Sequence, residues 1–189
     1  MRIAHITDIH VMVRPSLRDV SVKRLLGTAN LFLAGRRKHF SKDVQSALVE
    51  HVTGQTPDAI ICTGDLTAQA TPAEFEAAHR LLAPLFSRFP SVLIPGNHDV
   101  YTPQNVRERS IESLFGQWTG QGYWPRITAL SDMLSVVALD TCRAHPFLSS
   151  GTVQSEALER LDAVLSEWPE GKGCIIAIHY PLRDRRGDP

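Results

Sequence analysis

Short runs of apolar, largely β-branched residues recur along this chain, and most stop abruptly at glycine, aspartate or histidine. The runs cover residues 1–7, 58–63 (DAIICT), 91–95 (SVLIP), 134–139 and 174–179, with 126–130 a weaker sixth. Each is too short for a helix and apolar at consecutive positions, the pattern of strands buried on both faces. Helical spacing lies between them. Thr71-Pro72-Ala73-Glu74 joins an N-cap threonine, a proline at the first helical position and a glutamate that closes a capping box. Phe75, Ala78, Leu82, Leu85, Phe86 and Phe89 then form one apolar stripe. Leu158, Leu161, Leu165 and Trp168 repeat the spacing, Val44, Leu48 and Val52 do so weakly, and residues 106–118 read as one helix. Strand–helix alternation predicts an α/β layered domain. Residues 11–40 carry the least pattern, with a helix expected around 22–33 and a basic turn at 35–39.

A chain of 189 residues sets a prior of one domain, and residues 1–189 are read as such. Its 20 Lys and Arg balance 20 Asp and Glu, which argues against a general nucleic-acid coat. The balance is uneven: residues 1–42 hold nine basic residues and only two acids, Asp8 and Asp19. That segment, with Arg36-Arg37-Lys38, suits an anionic substrate or a peripheral anionic membrane contact, or simply a solvated face. Cys62, Cys142 and Cys174 show no Cys-x-x-Cys spacing and read as buried thiols in a reducing compartment. With no membrane-spanning run and an aspartate as early as position 8, a cytoplasmic location is expected.

Chemistry gathers where the strands end. Asp8-Ile9-His10 follows the first, Gly64-Asp65-Leu66-Thr67 the second, Gly96-Asn97-His98-Asp99 the third, and His179-Tyr180-Pro181 closes the last. Ligand sites in layered α/β domains collect at the carboxyl ends of strands. Carboxylate, imidazole and amide donors without thiolate suit Mn, Fe, Zn or similar divalent ions. An extended Asp8-x-His10 would point both side chains the same way. Glycines at 64 and 96 permit sharp turns, and the two oxygens of Asp65 can bridge two ions that clamp a phosphate. Each histidine alone has a plainer reading in packing. His5 is expected to be packed, His51 and His79 to lie on helices, and His145 in a loop. Asp140 reads as a strand-terminating turn residue, Trp118, Tyr123 and Trp124 as core, and Thr67 as a cap.

The ordered set Asp-x-His, Gly-Asp, Gly-Asn-His-Asp and His-x-Pro, from Asp8 to Pro181, resembles the calcineurin-like metallophosphoesterase superfamily. The Gly-Asp-Leu-Thr variant and the spacing are most similar to its bacterial phosphodiesterase branch. The resemblance implies a layered αββα sandwich of two mixed β-sheets flanked by helices. It implies that Asp8 and His10 hold a first metal ion, that Asp65 bridges, and that Asn97 and His179 hold a second. The cofactors would be two divalent ions, Mn, Fe, Zn or a mixed pair. His98 would contact the phosphate or protonate the leaving oxygen, and Asp99 would orient the His98 ring. The nucleophile would be a metal-bound hydroxide that hydrolyses a P–O bond. A small phosphodiester is the implied substrate, a cyclic nucleotide first, with nucleic acid disfavoured.

The family pattern closes with Gly-His-x-His, which gives one histidine to each ion, and no such motif occurs in these residues. The chain is therefore expected to be a C-terminally truncated piece. The alternatives are a site completed by a second copy, and a non-catalytic module that keeps the fold and binds a metal or a partner. Strand edges left open by a missing part would favour a homo-oligomer.

Overall fold

The computed structural model describes residues 1–13, 41–144 and 151–183. The helix expected around 22–33, the basic turn at 35–39 and His145 lie outside these residues. Among the described residues, six strands and five helices follow in the order β1 (Ile3–Ile6), α1 (Lys42–Gln55), β2 (Ala59–Cys62), α2 (Pro72–Arg88), β3 (Ser91–Leu93), α3 (Pro103–Arg107), α4 (Ser110–Thr119), β4 (Arg126–Ser131), β5 (Leu134–Ala138), α5 (Ser155–Ser166) and β6 (Gly173–Ala177). Every expected strand is present, including the weakest, β4.

The strands form two sheets. The first runs β1-β2-β3, parallel throughout, with Ile3 opposite Ala59 and Ile60 opposite Ser91. The second runs β4-β5-β6 and is mixed: β4 is antiparallel to β5, and β5 is parallel to β6. Alternation along β2 explains the layering, since successive side chains leave opposite faces. Ile60 and Cys62 join Phe75, Leu82, Phe86 and Phe115 in the core under the helices. Ile61 faces the other way, with Val92 and Ile94, onto Val136, Ala138 and Ala177 of the second sheet. The result is the expected α/β sandwich of two packed sheets.

Helix α2 starts as its sequence dictates. Thr71 caps it, the capping box with Glu74 closes, and Phe75, Ala78, Leu82, Leu85 and Phe86 are buried. The other helices depart from expectation. In α1, Leu48 and Val52 face the core as expected, but Val44 is exposed and the buried residue at that end is Gln45. The single helix expected at 106–118 begins earlier, at Pro103, and breaks at Arg109, whose φ is 48°. A second capping box, Thr102 with Asn105, sets that start. In α5 the expected stripe stays uncovered: Ala157 is the buried residue, while Leu158 and Leu165 are exposed. That face borders a groove of about 660 Å³ lined by Leu139, Leu158, Leu161, Ile176, Ile178 and Leu182.

Candidate active site

Past the ends of β1 and β2 the two loops stay paired. Asp8 N donates to Gly64 O at 3.1 Å, His10 N to Asp65 O at 2.9 Å and Val11 N to Leu66 O at 2.7 Å. The extended backbone expected at Asp8-x-His10 is not what forms. Asp8, His10 and Asp65 all take left-handed conformations, with φ of 55°, 49° and 55°. Each costs a non-glycine residue about 1–2 kcal/mol and persists only where the surroundings impose it. Here they do. The buried side chain of Gln45 donates from Nε2 to Ile9 O at 2.9 Å and His10 O at 3.2 Å.

Gly64 and Gly96 pack back to back. Gly64 has φ +91°, and a Cβ there would fall on the Gly96 amide; a Cβ on Gly96 would fall on Asp65. This close approach, rather than a turn, is what position 96 requires, and it brings the third loop onto the second. His98 N then donates to Asp65 Oδ1 at 2.8 Å.

The side chains converge around Asp65, which is 2% exposed. His10 Nε2 lies 3.5 Å from Asp8 Oδ1 and 3.6 Å from Asp65 Oδ2. His179 Nε2 lies 3.6 Å from Asp65 Oδ1 and 3.1 Å from Asn97 Oδ1. Asp65 thus turns one oxygen to each histidine. The Nδ1 atoms are held from behind by backbone carbonyls: Thr67 O for His10 at 3.3 Å, Ala68 O for His98 at 2.6 Å and Thr63 O for His179 at 2.7 Å. A carbonyl only accepts, so each Nδ1 carries a proton and Nε2 is the atom left to face the neighbouring oxygens. Nε2 of His10 and of His179 faces carboxylate and amide oxygens, a place that a proton or a metal ion can fill. A cation resolves that arrangement, and the outer carbonyl bonds are what fixes the tautomer of a ligating histidine. The residues present beside Asp65 are of types that can hold a divalent ion. His10, Asp65 and His98 also place ligating atoms within 4.8 Å of one another.

The electrostatics agree. The hydrogen bond to His10 holds the Asp8 carboxyl down to about 2. Burial opposes charge on His10, but Asp8 and Asp65 outweigh it and raise the ring's affinity for a proton. A proton and a metal ion compete there for the same lone pair. His98, by contrast, is pushed down, chiefly by burial. Its ring meets His10 edge-on at 4.7 Å and stacks on Tyr101 at 5.7 Å.

Asp99 does not do what the resemblance implied. The atom that positions the His98 ring is Ala68 O. The carboxylate of Asp99, 1% exposed, instead accepts from the amides of Gly96 at 3.0 Å, Leu66 at 3.2 Å and Thr67 at 3.0 Å, and from Thr67 Oγ1 at 3.0 Å. It ties the second and third loops together. Burial, reinforced by the charge of Asp65, pushes it up to about 6 against those amide bonds. Thr67, read as a cap, does cap a turn, accepting from Ala70 N at 3.2 Å, and its fully buried hydroxyl also serves this tie. Gln45 and Tyr101 were the residues missed. For Gln45 the signal was a glutamine on the true inward face of α1.

Other expectations divide. Trp118 is in the core and Trp124 packs against the core between the sheets while bordering a pocket, but Tyr123 is 84% exposed. Cys62 and Cys142 are buried, whereas Cys174 is exposed. His5 is exposed, bonded through Nε2 to Thr63 Oγ1. Asp140 closes its own turn, accepting from Cys142 N at 2.8 Å. No helix among the described residues is long and apolar enough to cross a membrane.

Residues 1–187 match the calcineurin-like phosphoesterases. The chain belongs to that family. Among curated relatives, it is 28% identical over 166 residues to a cAMP/cGMP dual specificity phosphodiesterase of Mycobacterium tuberculosis, covering 83% of this chain and 49% of that one. It is 24% identical over 184 residues to a "Probable cyclic nucleotide phosphodiesterase" of Synechococcus, covering 96% of this chain and 58% of that one. A glycerophosphodiester phosphodiesterase of Enterobacter lignolyticus is 42% identical over 45 residues, 24% of this chain and 16% of that one. The chain spans about half the length of the curated relatives that it matches over most of its own.

Proposed function

We propose that this phosphoesterase hydrolyses a small phosphodiester, a cyclic nucleotide foremost, at a site that holds two divalent ions. The observation that carries the reading is Asp65, whose two oxygens each lie 3.6 Å from the Nε2 of a different histidine, His10 and His179. Asp8 and His10 would hold one ion, Asn97 and His179 the other, and Asp65 would contribute to both. When bound, the ions neutralise the phosphate and activate a water for in-line attack. Neutral His98, fixed through Nδ1 by Ala68 O, presents Nε2 to a phosphate oxygen or, once protonated, to the leaving oxygen. Asp99 acts as a positioning residue that keeps the Asp65 and His98 loops in register. The substrate class is favoured by the relatives named as cyclic nucleotide phosphodiesterases.

The test is hydrolysis of bis(p-nitrophenyl) phosphate and of 3′,5′-cyclic AMP with Mn²⁺, alongside metal content by mass spectrometry. Asp65→Asn is expected to lose both metals and all turnover. His98→Ala is expected to keep its metals and lose about 100-fold in kcat, the scale of one proton-transfer group. Metal uptake without turnover in the unaltered chain would point to the binding-module alternative. Loss of metal in His98→Ala would make His98 a ligand and overturn its assigned role.

A further inference from the structure

A second polar pocket, of about 420 Å³, lies between the start of α4, the segment leading into β4, and α5. It meets the third site loop at Pro95, Asp99 and Val100, but not at Asn97 or His98. Four arginines border it: Arg109, Arg126, Arg143 and Arg160. One is structural. Arg126, 7% exposed, donates to Thr119 O at 2.9 Å and from Nη2 to Gly122 O at 3.0 Å, and its guanidinium lies 3.8 Å from the Trp124 ring.

The other three are held by only part of their donor sets. Arg160 donates from Nε to Trp124 O at 2.7 Å and has no acidic partner among the described residues. Arg143 uses Nη1 alone, for Cys142 O at 2.6 Å and Asp140 Oδ2 at 3.3 Å. Arg109 meets Glu112 Oε1 at 3.5 Å through Nη2, and Glu112 is shared with Arg126. A guanidinium carries five N–H donors and no acceptor. Most of the donors on these three groups therefore remain for a ligand. Planar forks of this kind match phosphate oxygens two at a time. Tyr123, 84% exposed and 5.4 Å from the Arg160 guanidinium, adds a flat apolar surface at the rim. The volume is of the size that a mononucleotide-sized molecule occupies.

We propose that this pocket binds a terminal phosphate group, gripped by Arg143 and Arg160 with Arg109 at the mouth, at a position separate from the metal-ligating residues. Such a group comes either from a nucleoside monophosphate or from inorganic phosphate. The assignment stands apart from the phosphodiesterase reading, because no metal-ligating residue borders the pocket.

Calorimetric titration of the whole chain tests it, with EDTA present so that no phosphate is held by metal ions. The probes are AMP and inorganic phosphate. Binding at or below millimolar Kd is expected, weakened at least tenfold in Arg143→Gln/Arg160→Gln and unchanged in Asp65→Asn. Unfolding temperature within a few degrees of the parent certifies that the double variant is folded. Charge-keeping Arg143→Lys/Arg160→Lys is expected to restore only part of the affinity, since lysine lacks the fork. Tighter binding of AMP identifies the nucleotide as the source, and equal binding identifies free phosphate. Absence of binding, an unchanged Kd in the double variant, or loss in Asp65→Asn would each overturn the proposal.

Discussion

Strands β2 and β6 are written in nearly the same residues, Ala-Ile-Ile-Cys and Gly-Cys-Ile-Ile-Ala, yet they meet opposite surroundings. All four residues of β2 are buried, between β1 and β3 and between two apolar layers. In β6 only Ala177 is buried; the strand pairs with β5 alone among the described residues, and Ile176 is 46% exposed. Among the described residues, the first sheet is closed on both faces along β2, and the second is closed on both faces along β5 but open along β6. The site follows the same division. His179 comes from the end of β6, but the atom that orients it, Thr63 O, belongs to the loop after β2. Even the residue delivered by the open sheet is set by the closed one.

Breaking the closed side should have the largest effect. Gly64→Ala puts a Cβ onto backbone atoms of the third loop. It is expected to cost about 3 kcal/mol or more, read as a drop of roughly 10 °C in Tm. Asp99→Ala should follow closely, about 3 kcal/mol, because it leaves the Gly96, Leu66 and Thr67 amides buried without a partner. Its metal content should fall with it, as the Asp65 loop loosens. The matched pair sharpens the comparison itself. Ile60→Ala, at a fully buried position, should cost about 3–4 kcal/mol in denaturant unfolding, and Ile176→Ala under about 1.5. Equal costs would mean that β6 is covered in solution.

The smallest perturbation is chemical. Cys62 on β2 is wholly buried, which pushes its thiol up to about 12, and Cys142 is pushed up for the same reason. Cys174 on β6 is exposed. With a thiol reagent near pH 8, one cysteine in the native chain should react quickly and the other two only after denaturation. Slow reaction of all three would place a partner on β6.

How legible was this in the sequence? The strands could be read from their consecutive apolar residues, a pattern that matches burial on both faces along β2 and β5, whereas β6, written the same way, is largely exposed. The polar tips stood out because aspartate, asparagine and histidine have no place inside such a run. Helix α2 was readable from its capping box and stripe, both contained within one segment. Helix α1 was readable at Leu48 and Val52 but not at its start, where Gln45 rather than Val44 turns inward because its amide bonds the loop after β1. The uncovered face of α5 shows the same limit: a stripe at helical spacing says that an apolar face exists, not that anything lies against it.

The sequence by itself determined the strand–helix alternation and the set of donors at the strand ends. The tertiary structure alone decided how those donors are held. The left-handed backbone at Asp8, His10 and Asp65, the tie that Asp99 makes across the loops, and the carbonyl behind each ring all arise between segments distant in the chain. Thr63 and His179 are 116 positions apart. No local pattern encodes such a contact, because its geometry is set by two sheets packing face to face rather than by the residues on either side of it.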